Sequence, residues 1–376
     1  MPKIRVLIVD DAVVIRRLVA DCLSDDPDLE VVGTAPNGQI GLAKILQLNP
    51  DIVTLDVEMP VMDGLQTLVA IRKTHKRLPV IMFSTLTERG AASTLDALAL
   101  GANDYVTKPA NVGSVGSGMQ RIRDELIPKI KALCGGRQVH ARPLSSPKGA
   151  ETLKYVPVKP LASSRIGLLA IGVSTGGPNA LAAMLPMLRK EFPVPVVIVQ
   201  HMPPLFTRLL AERIATASGF PTQEGATGAL LRPGEVWVAP GGLHLEVERT
   251  SSGIRLRTTE APPENSCRPA VDVLFRSAAR VYGAHTLAVV LTGMGQDGLR
   301  GCEMIREVGG RVLAQDEASS VVWGMPGAVC KAGLAEKVLS LEGLAAEINH
   351  LVGSALINFT PQPNPQNLPL TTAVDS

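Results

Sequence analysis

The sequence predicts an α/β protein made of two parallel, doubly wound sheets in tandem, the second carrying a β-hairpin insertion. Short apolar runs alternate with amphipathic stretches from residue 3 to about 125, lapse over 127–163, and return at Ile166. With 376 residues and 45% hydrophobic composition, the chain has enough apolar material for two cores.

Strands are expected near residues 4–9, 31–35, 51–55, 79–83 and 104–106, with helical periodicity between them. These make five βα units. Connections of that length are crossovers, so neighbouring strands run parallel and a ligand site lies outside their carboxyl ends. The chain then turns basic in Ile127-Pro128-Lys129-Ile130-Lys131 and is punctuated by Gly135-Gly136-Arg137 and Arg142-Pro143-Leu144-Ser145-Ser146-Pro147. Residues 127–163 are therefore expected to form a linker. Compact runs at Ile166–Gly172, Val196–Val199 and Leu287–Leu291, each followed by a loop and a helical pattern, predict the second sheet within residues 164–358. Between them, Gly234–Gly242, His244–Glu248 and Ile254–Arg257 read as the hairpin insertion. Residues 359–376 hold prolines and asparagines with few apolar anchors and read as a disordered tail.

A formal net charge of +2 with interspersed signs offers no basic face for nucleic acid. The five cysteines are scattered, odd in number and free of C-x-x-C spacing, which argues against a disulfide framework or zinc knuckle and fits a reducing cytoplasm. Asp10 and Asp11 interrupt the first apolar run too early for a signal segment. No apolar stretch approaches the roughly 20 residues needed to span a bilayer, so direct membrane insertion is not expected.

Asp10 and Asp11 stand where the first strand runs out, and Asp56 closes the strand of Ile52-Val53-Thr54-Leu55. Taken singly, Asp11 reads as a cap for the helix beginning near Ala12 and Asp56 as an ordinary strand-end acid. Lys108 directly after the fifth strand and Ser84 after the fourth change that reading. A hard cation takes oxygen ligands, a lysine pairs with phosphate, and a hydroxyl can move toward it. Asp10-Asp11, Asp56-Val57-Glu58-Met59-Pro60, Asp63-Gly64, Ser84, Tyr105 and Lys108-Pro109 resemble the receiver domain of two-component response regulators, over residues 1–126. The resemblance implies that Asp56 is the phosphoacceptor, with a histidine kinase as phosphodonor. It also implies Mg²⁺ held by Asp10, Asp11, Asp56 and the Glu58 backbone, phosphate contact from Lys108, and a Ser84–Tyr105 switch.

In the second half, Ser174 sits in Gly172-Val173-Ser174-Thr175-Gly176, between a strand and the helical stretch opening at Pro178. That places a hydroxyl beside a helix N-terminus whose N–H groups can hold an oxyanion. The competing reading is that Ser174 or Thr175 merely caps the helix. His201 follows the strand Val196–Val199, and Asp297 follows Leu287–Leu291, on the same edge of the sheet. Together they allow a triad, with Ser174 as nucleophile, His201 as proton carrier and Asp297 orienting the imidazole. Asp272 is a weaker candidate for the third role. The order Ser, His, Asp differs from the α/β-hydrolase order.

Gly172–Pro178, Gln200-His201-Met202-Pro203-Pro204, Ala239–Gly242 with His244, Arg268–Arg276, Gly293–Gly298 and Trp323–Pro326 closely resemble the chemotaxis protein-glutamate methylesterase family. The commonest family form has Ala where Val173 stands. This resemblance implies demethylation of glutamate γ-methyl esters on the cytoplasmic helices of chemoreceptors, deamidation of glutamines there, and no cofactor in the catalytic domain. It also implies an oxyanion contact from the Met294 backbone N–H, with Thr175 a second contributor. Two rivals remain open: an esterase for some other ester, and a regulator whose output is binding alone. Gly113–Gly118 has the wrong order for a dinucleotide fingerprint and reads as a flexible turn.

Overall fold

The computed structural model describes residues 2–108, 115–135 and 165–353. The expected tail, and the expected linker beyond Gly135, lie outside them.

In the first half, β1 (Ile4–Val9), β2 (Leu29–Ala35), β3 (Ile52–Asp56), β4 (Val80–Ser84) and β5 (Asp104–Thr107) form one sheet in the order β2-β1-β3-β4-β5. All four pairings are parallel, as crossover lengths require. Helices α1 (Val13–Ser24), α2 (Gly38–Leu48), α3 (Gly64–Thr74) and α4 (Glu88–Ala99) cover the two faces. Strands β3 and β4 are buried at every position, so they read as mostly apolar runs rather than alternating ones, with Thr54, Asp56 and Ser84 as their polar members. The N-cap of α1 is Ala12, whose backbone N–H donates to Asp10 Oδ1 at 2.9 Å, so Asp11 does not cap this helix.

Two sequence expectations are corrected here. Helix α5 spans Val115–Gly135, so 127–135 continue a helix rather than begin a linker. Its Ile122, Leu126, Ile130 and Cys134 recur every fourth residue and pack into one core with α1 and the sheet; that burial outweighs Pro128 inside the helix. Val115–Gly118 belong to the opening of this helix, not to a turn, while 113 and 114 lie outside the described residues.

The second half holds a seven-stranded parallel sheet. Its strands are β6 (Leu168–Val173), β7 (Val196–Gln200), β8 (Thr222–Glu224), β9 (Val236–Val238), β12 (Thr286–Val290), β13 (Arg311–Gln315) and β14 (Lys337–Leu339). Their order is β14-β13-β12-β6-β7-β9-β8, so the direction of winding reverses between β6 and β12. Strands β10 (His244–Thr250) and β11 (Gly253–Thr259) pair antiparallel as the expected separate hairpin. Helices α6 (Gly177–Met184), α7 (Phe206–Ser218), α8 (Val271–Tyr282), α9 (Leu299–Glu307), α10 (Met325–Lys331) and α11 (Leu341–Gly353) complete the layers. A ligand crevice is expected where winding reverses, at the carboxyl ends of β6, β7 and β12.

Candidate active site

Each strand-end residue lands where its strand delivers it. Asp10 and Asp56 are both 2% exposed at the carboxyl edge of the first sheet. Lys108, one residue past β5, reaches across with Nζ 2.9 Å from Asp10 Oδ2 and 2.7 Å from Asp56 Oδ2. Burial, reinforced by the negative Asp10, pushes the Asp56 carboxyl up to about 6 even though Lys108 pulls it down. Oxygens of Asp10, Asp11 and Asp56 lie within 4.8 Å of one another, an all-carboxylate set whose hard donors fit Mg²⁺. Ser84 does not face this pocket. Its hydroxyl donates to the Gly90 carbonyl in α4 at 3.0 Å and to Thr85 O at 3.2 Å.

In the second half, Ser174 follows β6 and its backbone N–H donates to Thr292 O at 3.0 Å. The N-cap of α6 is Gly176, in the left-handed region with φ 78°, and no side chain caps that helix. The Ser174 hydroxyl is thus not spent on capping. Gly293, after β12, has its bare Cα against the serine: a Cβ there would meet Ser174 Cβ at 2.8 Å and Met325 Sδ at 2.4 Å. Only glycine permits that approach, and Met294 is the next residue along the chain. Among the described residues, the N–H groups of Met294 and Thr175 donate to no partner.

His201 Nε2 lies 2.8 Å from Asp297 Oδ2. Asp297 also receives backbone N–H bonds from Val271 (2.6 Å), Asp272 (3.0 Å) and Gly298 (3.0 Å), and one from Asn265 Nδ2 at 2.9 Å. Two of these donors open α8, so the carboxylate sits on that helix's N-terminus although it comes from elsewhere in the chain. Burial disfavours the charge, but the His201 bond and the backbone donors hold the Asp297 carboxyl below its ordinary range. Asp272 turns away, accepting from Gly301 N at 2.7 Å and Asn265 Nδ2 at 2.9 Å. The imidazole therefore pairs with Asp297 and not with Asp272. Burial alone would lower the His201 pKa; Asp297, aided by Cys267, raises it to about 10. No hydrogen bond joins Ser174 to His201 among the described residues. The nitrogen left for the serine is Nδ1, which lies 3.6 Å from Cys267 Sγ.

The first half covers this edge. Asp104 Oδ2 accepts from Thr175 Oγ1 at 2.8 Å and pairs with Lys129 Nζ at 3.1 Å. Tyr105 stacks on Phe206 of α7, with centroids 4.8 Å apart and 6° between planes. Asn179 Nδ2 donates to Leu98 O at 2.8 Å, and Arg213 grips Leu95 O and Asp96. Helix α4, held by Ser84, is thus the same helix that packs on α6 and α7.

Sequence reasoning passed over Asn265, Cys267 and Asp104. The first two sit in an aperiodic polar stretch, Glu264-Asn265-Ser266-Cys267, whose one signal was its position just before the Arg268–Arg276 motif. Asp104 was hidden inside a short strand.

A family profile described as CheB methylesterase matches residues 169–348, and one described as a response regulator receiver domain matches residues 6–116. The chain is 53% identical over 353 residues to a protein-glutamate methylesterase/protein-glutamine glutaminase of Trichodesmium erythraeum (strain IMS101), covering 94% of this chain and 100% of that one. Identity is 57% over 351 residues to the protein of the same name from Nocardioides sp. (strain ATCC BAA-499 / JS614), covering 93% and 95%. The crystal structure of the Thermotoga maritima CheB methylesterase catalytic domain is 39% identical, covers 50% of this chain and 100% of its own, and superposes with a TM-score of 0.49.

Proposed function

The chain belongs to the CheB methylesterase family, with a response regulator receiver domain ahead of the catalytic one, and from that premise we propose how its residues do the work. It is a protein-glutamate methylesterase and protein-glutamine glutaminase under receiver control. The substrates are glutamate γ-methyl esters and glutamines on chemoreceptor cytoplasmic helices, met in the cytoplasm. Among the described residues no helix is long and apolar enough to cross a membrane.

Ser174 Oγ attacks the side-chain carbonyl while His201 Nδ1 takes its proton; Asp297, bound to Nε2, holds the ring and balances the imidazolium. The oxyanion is met by the free N–H of Met294, with Thr175 second; one such donor is typically worth about 10²–10³ in rate. Methanol, or ammonia from glutamine, leaves with the proton from His201. Water then attacks the acyl-serine, His201 takes its proton and returns it to Ser174, and glutamate is released. The observation that carries this reading is the convergence of Ser174, the His201–Asp297 pair and the Met294 loop on one sheet edge where winding reverses.

For control, a histidine kinase is the phosphodonor and Asp56 the acceptor. Asp10, Asp11 and Asp56, with the Glu58 backbone, would hold Mg²⁺, which would supply positive charge beside the phosphoryl oxygens. Phosphate on Asp56 engages Lys108 and draws Ser84 off the Gly90 carbonyl, loosening α4 and, with Tyr105, its grip on α6 and α7. The Asp104–Thr175 bond is then released, and the population shifts toward an open site.

The test is methanol release from methylated receptor cytoplasmic fragments, with and without a small phosphodonor and Mg²⁺, for wild type and Asp56→Asn. Release by wild type should rise several-fold with phosphodonor, while Asp56→Asn keeps the basal rate and does not respond. Stimulation surviving in Asp56→Asn would sink the regulatory reading; no release under any condition would sink the esterase reading.

The raised His201 pKa has a sign that can be checked. Asp297 and Cys267 face the ring and favour imidazolium, so the neutral base becomes more abundant as pH rises toward about 10. In unphosphorylated enzyme, log(kcat/KM) should therefore climb with pH between 6 and 9, by about one unit per pH unit once spontaneous ester hydrolysis is subtracted. A profile already flat at pH 7 would show the base is not held protonated.

A further inference from the structure

We propose that Cys267 is an oxidation site at which a hydroperoxide silences the methylesterase, by forming a sulfenic acid on Cys267 Sγ that hydrogen-bonds to the imidazole nitrogen Ser174 needs. The proposal rests on the assignment of Ser174 and His201 above. Cys267 Sγ lies 3.6 Å from His201 Nδ1, and the far nitrogen of the same ring is bound to Asp297 at 2.8 Å. The thiol therefore lies against a ring nitrogen that can carry a proton during its attack, while the carboxylate fixes the ring from the other side.

The thiol is aimed by a built loop. Glu264 and Cys267 exchange both backbone hydrogen bonds, at 3.0 and 2.8 Å, and Asn265 and Ser266 between them are left-handed, with φ 52° and 62°. Asn265 Nδ2 is tied to Asp272 and Asp297, and Glu264 accepts from the two terminal guanidinium nitrogens of Arg276, at 2.6 and 2.5 Å. Cys267 is also partly exposed, whereas Cys22, Cys134 and Cys302 are buried. Cys330 is the other partly exposed thiol, and burial lifts it to about 11, which keeps it protonated and unreactive.

A shared metal ion fits the same cluster less well. His201, Cys267 and Asp297 offer donor atoms within 4.8 Å of one another. Both Asp297 oxygens, however, are already taken by Asn265, His201 and three backbone N–H groups, and Asp297 addresses the opposite nitrogen from the thiol.

In the reaction, the Cys267 thiolate attacks one oxygen of the hydroperoxide. The S–O bond forms, the O–O bond breaks, and the leaving oxyanion takes the His201 imidazolium proton to depart as water or alcohol. Sulfur loses two electrons and the peroxide gains them. The sulfenic hydroxyl then occupies Nδ1, and Ser174 has no base. An added thiol condenses with the sulfenic acid, releasing water, and a second thiol restores the cysteine.

The experiment treats the full chain with hydrogen peroxide and reads two quantities. These are methanol release, and dimedone adducts located by peptide mass, for wild type and Cys267→Ser, each normalised to its own untreated rate. Dimedone should mark Cys267. Wild-type release should fall in proportion, about tenfold at nine-tenths modification, and return with dithiothreitol, while Cys267→Ser keeps its own starting rate. Dimedone at Cys330 but not Cys267, or equal inactivation of Cys267→Ser, overturns the proposal. If untreated wild type releases no methanol, the esterase reading falls by itself, and the dimedone result alone decides whether Cys267 reacts with peroxide.

Discussion

Ser174→Ala is expected to cut methanol release from methylated receptor fragments by about 10⁵-fold, leaving only what oriented binding and the oxyanion donors supply. The expectation is sharp because the hydroxyl has no other duty in the fold. It caps no helix, since Gly176 occupies that place with no side-chain bond. The Cβ that packs against Gly293 survives in alanine. The melting temperature should therefore stay within about 1 °C of wild type, as expected of a substitution that leaves a site without cavity or unpaired charge. Phosphorylation of Asp56 should be unaffected, because that pocket is built from a separate sheet. Activity within tenfold of wild type would remove Ser174 from the chemistry and favour a binding-only output.

Asp297→Asn should cost about 10⁴ in kcat/KM and, unlike the serine change, should also cost stability. The two oxygens of Asp297 accept from His201, Asn265 and the N–H groups of Val271, Asp272 and Gly298. An asparagine NH₂ must face one set of these donors, leaving at least one buried N–H without an acceptor. Each such group costs about 1–3 kcal/mol, and the negative charge at the start of α8 is lost as well. Two such costs would lower the melting temperature of the catalytic domain by about 5–10 °C. The pH profile should move too: without the carboxylate the imidazole loses what holds its pKa high, so the rising limb shifts to lower pH. Kinetics across pH together with a thermal scan check all three consequences. A variant of normal rate and normal stability would show that Asp297 neither orients His201 nor closes α8.

Much of this site was legible before the fold was known, and the reason is geometric. In parallel sheets every strand delivers its carboxyl end to one edge, so Asp10, Asp56, Lys108, Ser174, His201 and the loop to Asp297 could be placed by asking which residue follows each apolar run. Five strands of the first sheet were found within two residues of their observed ends because buried strands are continuous apolar stretches. The same logic failed for α5. Lys129, Lys131 and Pro128 look like linker residues, while the apolar residues between them, Ile130 among them, face a core that only the folded sheet supplies.

The sequence by itself determined the two-sheet architecture and which residues stand at the carboxyl edge of the strands, because periodicity and strand ends are local properties of the chain; its motifs carried the resemblance to the family. Tertiary structure alone decided which groups meet there. His201 lies 96 residues from Asp297, 66 from Cys267, and Asp104 lies 71 from Thr175. The pairing of His201 with Asp297 rather than Asp272, the Cys267 thiol on His201 Nδ1 and the receiver aspartate on Thr175 all depend on how loops from separate strands and helices pack. Hydrogen-bond partners at 2.8 Å are set by that packing, to fractions of an ångström that no spacing along the chain encodes.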